Sequence, residues 1–217
     1  LIRPPAGSRL GGGGVFRNAL DDANITTVTI ASGASNASVL YKDTVAGSPT
    51  ITAASGILTS ATQTETVNAA SASKLVLSGT ATQTAGTANN LTVTAKDSFG
   101  NTATSYTGDR TLTFSGANAA ANPATNPTVA NKVGTAVPLG TATTITFASG
   151  VASVSSGNNG VMTLYQAETA TISVTDQTIS TTGSDRLTVA VAAAAASKLA
   201  FSGASSSPAG LNSSSIT

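Results

Sequence analysis

Short strings of this chain recur about 124 residues apart, and that spacing limits what it can fold into. Ser73-Lys74-Leu75 returns as Ser197-Lys198-Leu199, Ser78-Gly79 as Ser202-Gly203, and Ala85-Gly86 as Ala209-Gly210, all without a gap. A second set points the other way. Ala31-Ser32-Gly33 returns as Ala148-Ser149-Gly150, Leu40-Tyr41 as Leu164-Tyr165, and Thr50-Ile51 as Thr171-Ile172. Their offsets of 117, 124 and 121 differ by a few residues, as loops do. Solenoid repeats run about 20–50 residues, so a period this long points to domain-sized units. The expected organisation is the closing half of one unit over 24–72, a complete unit over 73–196, and the opening strand of a further unit over 197–217. Residues 1–23, with Gly11–Gly14, stay unassigned.

Inside the complete unit the hydrophobic period is two. Leu91, Val93 and Ala95 alternate with Thr92, Thr94 and Lys96; Leu112 and Phe114 with Thr111 and Thr113; Ile145 and Phe147 with Thr144 and Thr146. Ile172 and Val174 alternate with Thr171 and Ser173, and Leu187, Val189 and Val191 with Thr188 and Ala190. Such alternation marks strands with one buried and one wet face. Turn residues separate them, at Ser98-Phe99-Gly100-Asn101, Ser115-Gly116, Ser149-Gly150 and Gly157-Asn158-Asn159-Gly160. With Lys74–Leu77 and Val161–Tyr165 the unit holds about seven strands, the pattern of an immunoglobulin-like sandwich. The fold class is therefore all-β: tandem immunoglobulin-like β-sandwich domains, one complete and one or two partial. The paired Cys and core Trp of antibody domains are absent.

Two segments break the strand rhythm. Residues 117–140 are rich in Ala, Asn and Pro and are expected to form a long loop. Ala192–Ala196 has high helix propensity but is too short for a stable helix. It occupies the same place in the period as Asn68–Ala72, so both are expected to be short inter-domain connectors, too short to let neighbours tumble freely.

Composition closes off several function classes. About 125 of the 217 residues are Ala, Ser, Thr or Gly, and only 9% are charged, against roughly 25% in ordinary domains. Hydrophobic content of 40% with a net charge of +1 argues against disorder. Without His or Cys there is no thiolate or imidazole metal site, no Ser-His-Asp or Cys-His pair, and no disulfide framework. Ten basic residues spread along the chain make no patch for nucleic acid. No run of 18 apolar residues exists, so no transmembrane segment is expected. The start, Leu1-Ile2-Arg3-Pro4-Pro5, lacks Met and a signal-peptide core, as expected of a processed product or a fragment.

Thr27–Gly33, then Tyr41-Lys42-Asp43-Thr44 and Ala46–Thr52, resemble the closing half of the immunoglobulin-like (Big/filamin-like) repeats of very large bacterial surface proteins. Leu91–Asn101 is similar to the second strand and turn of those repeats, and so is Tyr106–Phe114. The resemblance covers roughly 24–217. It implies an extracellular or cell-surface stalk, sometimes placed near an adhesive tip.

Candidate chemistry is sparse. The nine carboxylates are Asp21, Asp22, Asp43, Glu65, Asp97, Asp109, Glu168, Asp176 and Asp185. Only Asp21-Asp22 adjoin, and several others flank strand ends, where Asp is an ordinary turn residue. Asp97, Asp109 and Asp185 would have to converge to bind calcium, which needs six to eight oxygen ligands. Lys74 is the candidate amine for an internal Lys–Asn amide crosslink, although a Lys at a strand start is normally solvated. Outward Thr rows suggest ice binding, but twisted strands do not present a flat lattice. Asn24, Asn36, Asn90 and Asn212 head N-glycosylation patterns that a chain this rich in Ser and Thr produces by chance. No catalytic, cofactor-binding or metal residue is assigned, and no cofactor is expected.

The expected function is a non-enzymatic stalk or spacer of stacked domains, with adjacent repeats or further copies of itself as partners. One alternative is a filament subunit, in which Lys198–Ser202 of one chain completes the 24–72 half domain of the next by strand donation. Another is an adhesive or carbohydrate-binding module that presents the 117–140 loop to a glycan or host surface.

Overall fold

The computed structural model describes residues 2–3, 14–19, 23–56, 58–197 and 209. These are all-β apart from one turn of 3-10 helix at Gly183–Asp185. The first strands are β1 (Ile2–Arg3), β2 (Val15–Asn18), β3 (Asn24–Ile25), β4 (Val39–Lys42), β5 (Thr50–Ser55) and β6 (Leu58–Thr64). Then come β7 (Lys74–Ser78), β8 (Thr82–Thr84), β9 (Ala88–Asn90), β10 (Thr92–Lys96), β11 (Gly108–Ser115), β12 (Ala120–Ala121) and β13 (Ala124–Thr125). The last are β14 (Thr128–Ala130), β15 (Ala136–Pro138), β16 (Ala142–Phe147), β17 (Val151–Ser153), β18 (Val161–Thr163), β19 (Thr169–Thr175) and β20 (Leu187–Ala192). No helix among the described residues is long and apolar enough to cross a membrane.

All seven strands expected in the complete unit are present, five of them from the alternating runs, and alternation translates into burial. In β20, Leu187, Val189 and Val191 are buried while Thr188, Ala190 and Ala192 are exposed. Strands β16-β11-β19-β20-β8 form one sheet, in which β8 lies parallel to β20 and the other pairs are antiparallel. Two further sheets are ordered β17-β10-β7 and β15-β14-β18-β9. Only Leu91 separates β9 from β10, so one stretch of chain serves both sheets. Side chains from all three sheets meet in one core that includes Leu77, Val93, Phe114, Ile145, Met162 and Ile172. Burying a side chain of this size contributes about 1.5–3 kcal/mol, which makes this core the main source of stability.

Residues 117–140 are not the long loop expected from their composition. They form the hairpin β12–β13 and the strands β14 and β15, and Val129 of β14 is fully buried beside β18. Their strands are only two or three residues long, too short to show a period.

The N-terminal residues build two small sheets, β1-β5-β6 and β3-β2-β4. Residues 2–3 and 15–18, unassigned from sequence, thus pair with strands of the following segment. Hairpin β5–β6 sets Ile51 opposite Gln63, and β19–β20 sets Ile172 opposite Leu187. The second pair lies 121 and 124 residues further on, so the two hairpins share a register. The turn at Gly33 also matches that at Gly150: Ala34 N–H donates to Ala31 O at 2.9 Å and Val151 N–H to Ala148 O at 3.0 Å. Both glycines have positive φ, 83° and 85°. Thr27–Ile30 differ from their counterparts in β16. They carry strand alternation but form no strand, and Ile30 is 55% exposed. Strand β16 pairs with six residues of β11, whereas among the described residues the two of β1 lie along β5 and not along 27–30.

Candidate functional site

The polar feature with the most connections is the turn Asp97-Ser98-Phe99-Gly100-Asn101, at the end of β10. Its sequence folds it locally. Gly100 takes the positive φ, 90°, that a tight turn requires. Asp97 N–H donates to Asn101 O at 2.9 Å and Gly100 N–H to Asp97 O at 3.1 Å. The Asp97 carboxylate then caps the turn from inside, its Oδ1 accepting from the N–H groups of Phe99 and Asn101, both at 2.9 Å. Asn101 Nδ2 donates to Asp97 Oδ2 at 2.9 Å, which locks the two side chains together.

From this frame the turn reaches out of its own sheet. Asp97 Oδ2 accepts from Ala70 N–H, in the connector, at 3.0 Å. Asn101 Oδ1 accepts from Ala46 N–H at 3.0 Å, and its Nδ2 donates to Thr44 O at 2.8 Å. One residue before the turn, Lys96 O accepts from Ser73 N–H at 2.8 Å. The loop it grips is itself braced. Asp43 Oδ1 accepts from Val45 N–H at 2.9 Å, and Asp43 Oδ2 from the Tyr41 hydroxyl at 2.7 Å. Burial first, then the bond to Asp43 and its charge, push the Tyr41 hydroxyl up to about 12.

Asp97 is 1% exposed. Burial alone would raise its carboxyl, but hydrogen bonds from the Asn101 side chain and from the Ala70, Asn101 and Phe99 backbone outweigh that and hold it below the usual carboxylate value. The two Asn101 bonds across the junction contribute about 1 kcal/mol each.

The other carboxylates stand apart. Asp109 pairs with Lys132 and accepts from Thr146 Oγ1 at 2.6 Å; these bonds, Lys132 first, hold its carboxyl low. Asp185 pairs with Lys74 at 3.0 Å, so Lys74, offered as a crosslinking amine, has a carboxylate as its neighbour. The three calcium candidates therefore each have separate partners. Among the described residues no group of three or more metal-ligating side chains comes together. Asp176 accepts from the Tyr106 hydroxyl at 2.6 Å, beneath Arg110, whose guanidinium lies 4.4 Å from the Tyr106 ring centroid. Burial pushes the Asp176 carboxyl up, and bonds from Ile179, Tyr106 and Thr178 with the Arg110 charge pull it down further, leaving it low. Glu168 accepts from Asn118 N–H and Nδ2 at 2.8 and 2.6 Å. Asn24, Asn36 and Asn90 are exposed. Asp21, Asp22, Asn212 and Lys198–Ser202 lie outside the described residues.

Sequence reasoning marks Ser98–Asn101 as a turn but not as a junction. The Asp and Asn four positions apart around a Gly signal a side-chain-capped turn. What the outer faces of those side chains touch depends on chain 27–57 residues away, which no local pattern encodes.

No family model matches the chain, and no curated protein matches it. Among solved structures it is similar to a β-glycosidase from Bacteroides vulgatus, with 10% identity and a TM-score of 0.34. That match covers 82% of this chain and 21% of the glycosidase.

Proposed function

We propose that this chain is a non-enzymatic spacer, part of a stalk of stacked immunoglobulin-like domains in an extracellular bacterial surface protein or fibre. The observation that carries this reading is the Asp97–Asn101 turn. It ties the connector 68–72 and the loop 43–46 to the body built from 73–192, and so fixes one set of sheets against the next. The five-residue connector is too short to let its neighbours tumble freely, and these ties restrict their direction as well. Ties of this kind suit a part whose task is to hold distance and direction.

The immunoglobulin-like reading draws support from the first strand of the body. It splits into β7, antiparallel to β10 in one sheet, and β8, parallel to β20 in the other. The chain thereby closes its first strand on its last and covers a sheet edge. In this reading the N-terminal sheets are the closing part of a preceding domain, with β1 standing where β11 stands in the complete one. The extracellular placement rests on the resemblance to surface-protein repeats and on outward strand faces filled with Thr and Ser.

Small-angle X-ray scattering tests the spacer reading. The full chain is expected to give a distance distribution that fits one rigid arrangement. A D97A/N101A double variant, with unchanged β circular dichroism, is expected to give a broader distribution and a larger radius of gyration. Identical curves for the two proteins would contradict the proposal.

A further inference from the structure

The far end of the 73–192 body repeats the backbone that the turn grips at its near end. Gly47 and Val67 exchange N–H···O bonds of 2.9 and 2.8 Å, and Glu168 and Val191 do the same at 3.2 and 2.8 Å. Ala46, one residue before Gly47, gives its N–H to Asn101, and Ala70, three residues after Val67, gives its N–H to Asp97. Ala167 stands one residue before Glu168 and Ala194 three after Val191. Both are exposed, and neither N–H has a hydrogen-bond partner among the described residues. An amide pair that is satisfied at one end of the body is thus offered unsatisfied at the other.

We infer that Ala167 and Ala194 form a docking site for a second turn of the Asp97–Asn101 kind, carried by a further copy of the 73–196 unit joined in register after residue 196. The occupant is indicated by the sequence, which restarts there as Ser197-Lys198-Leu199 and Ser202-Gly203. The Asp carboxylate of that turn accepts from Ala194 N–H, and the Asn carbonyl accepts from Ala167 N–H. The site deepens the spacer reading and rests on it: each unit would receive one turn and offer another, so orientation passes from unit to unit.

The test compares amide hydrogen exchange in the full chain with that in residues 1–196 followed by a second copy of 73–196, with only the first 196 residues isotope-labelled. In the full chain, Ala46 and Ala70 are expected to be protected, and Ala167 and Ala194 to exchange at the rate of an open amide. In the extended chain, Ala167 and Ala194 are expected to slow at least tenfold. Changing the Asp and Asn of the appended turn to Ala should restore fast exchange. Protection of Ala167 and Ala194 already in the full chain would overturn the inference, as would fast exchange in an extended chain whose body amides are all protected. If Ala46 and Ala70 also exchange freely, the spacer reading fails with it; if they alone stay protected, only the inference fails.

Discussion

Gly150 and Gly33 occupy the same turn in two surroundings, and the contrast predicts two different costs. Both have positive φ, which costs a residue with a side chain about 1–2 kcal/mol. Around Gly33 there is open space, so G33A should cost little beyond that strain. At Gly150 an added Cβ would lie 2.7 Å from Ala103 O and 2.8 Å from Thr102 Cγ2, so the backbone must move. Urea titration should therefore show G150A clearly more destabilising than G33A. Equal midpoints would mean that the tight packing at Gly150 does not matter. The carboxylates make a second residue-level prediction. Asp97, Asp109 and Asp176 are all held below the usual carboxyl value, so each favours the folded state fully above the unfolded value of about 3.9. That contribution is lost as pH falls through the lowered folded values. With no His in the chain, thermal stability should stay flat from about pH 5 to 8 and drop below about pH 4. D176N should flatten the acid drop. A fall beginning above pH 6 would point to other groups.

At the scale of elements, pairing decides what alternation can become. Thr27–Ile30 and Thr144–Phe147 read alike, yet only the second is a strand, because Asp109–Thr111 lie alongside it. Amide exchange should therefore be fast at Val28, Thr29 and Ile30 and slow at Arg110 and Leu112, which pair with β16 inside the sheet. Protection of residues 28–30 in the full chain would show that they find a partner. The same physics sets what the sequence could convey. The five alternating runs of the complete unit are strands, since a buried face every second residue is written directly in Val, Ile, Leu and Phe. β14 escaped notice because it contributes just Val129 and Ala130 to the buried side, among prolines and asparagines that signal turns. β1 escaped because its partner β5 lies about fifty residues away in sequence, and β2 because its four residues do not alternate. The site was legible only in part, since Asp97 and Asn101 announce a capped turn and say nothing of Ala46 or Ala70.

At the scale of the molecule, charge is sparse and the chain carries no His or Cys. Its core is made of small strands, its outward faces are Thr and Ser, and its best-connected polar cluster is spent on holding two parts of the chain together. In the proposed spacer, residues 24–67 and 73–192 keep one fixed relation through Asp97 and Asn101. Residual dipolar couplings measure that relation directly. Couplings from paired-strand amides of the two parts should fit a single alignment tensor in the full chain, and separate tensors of unequal magnitude in the D97A/N101A variant. Two unequal tensors in the unaltered chain would contradict the account.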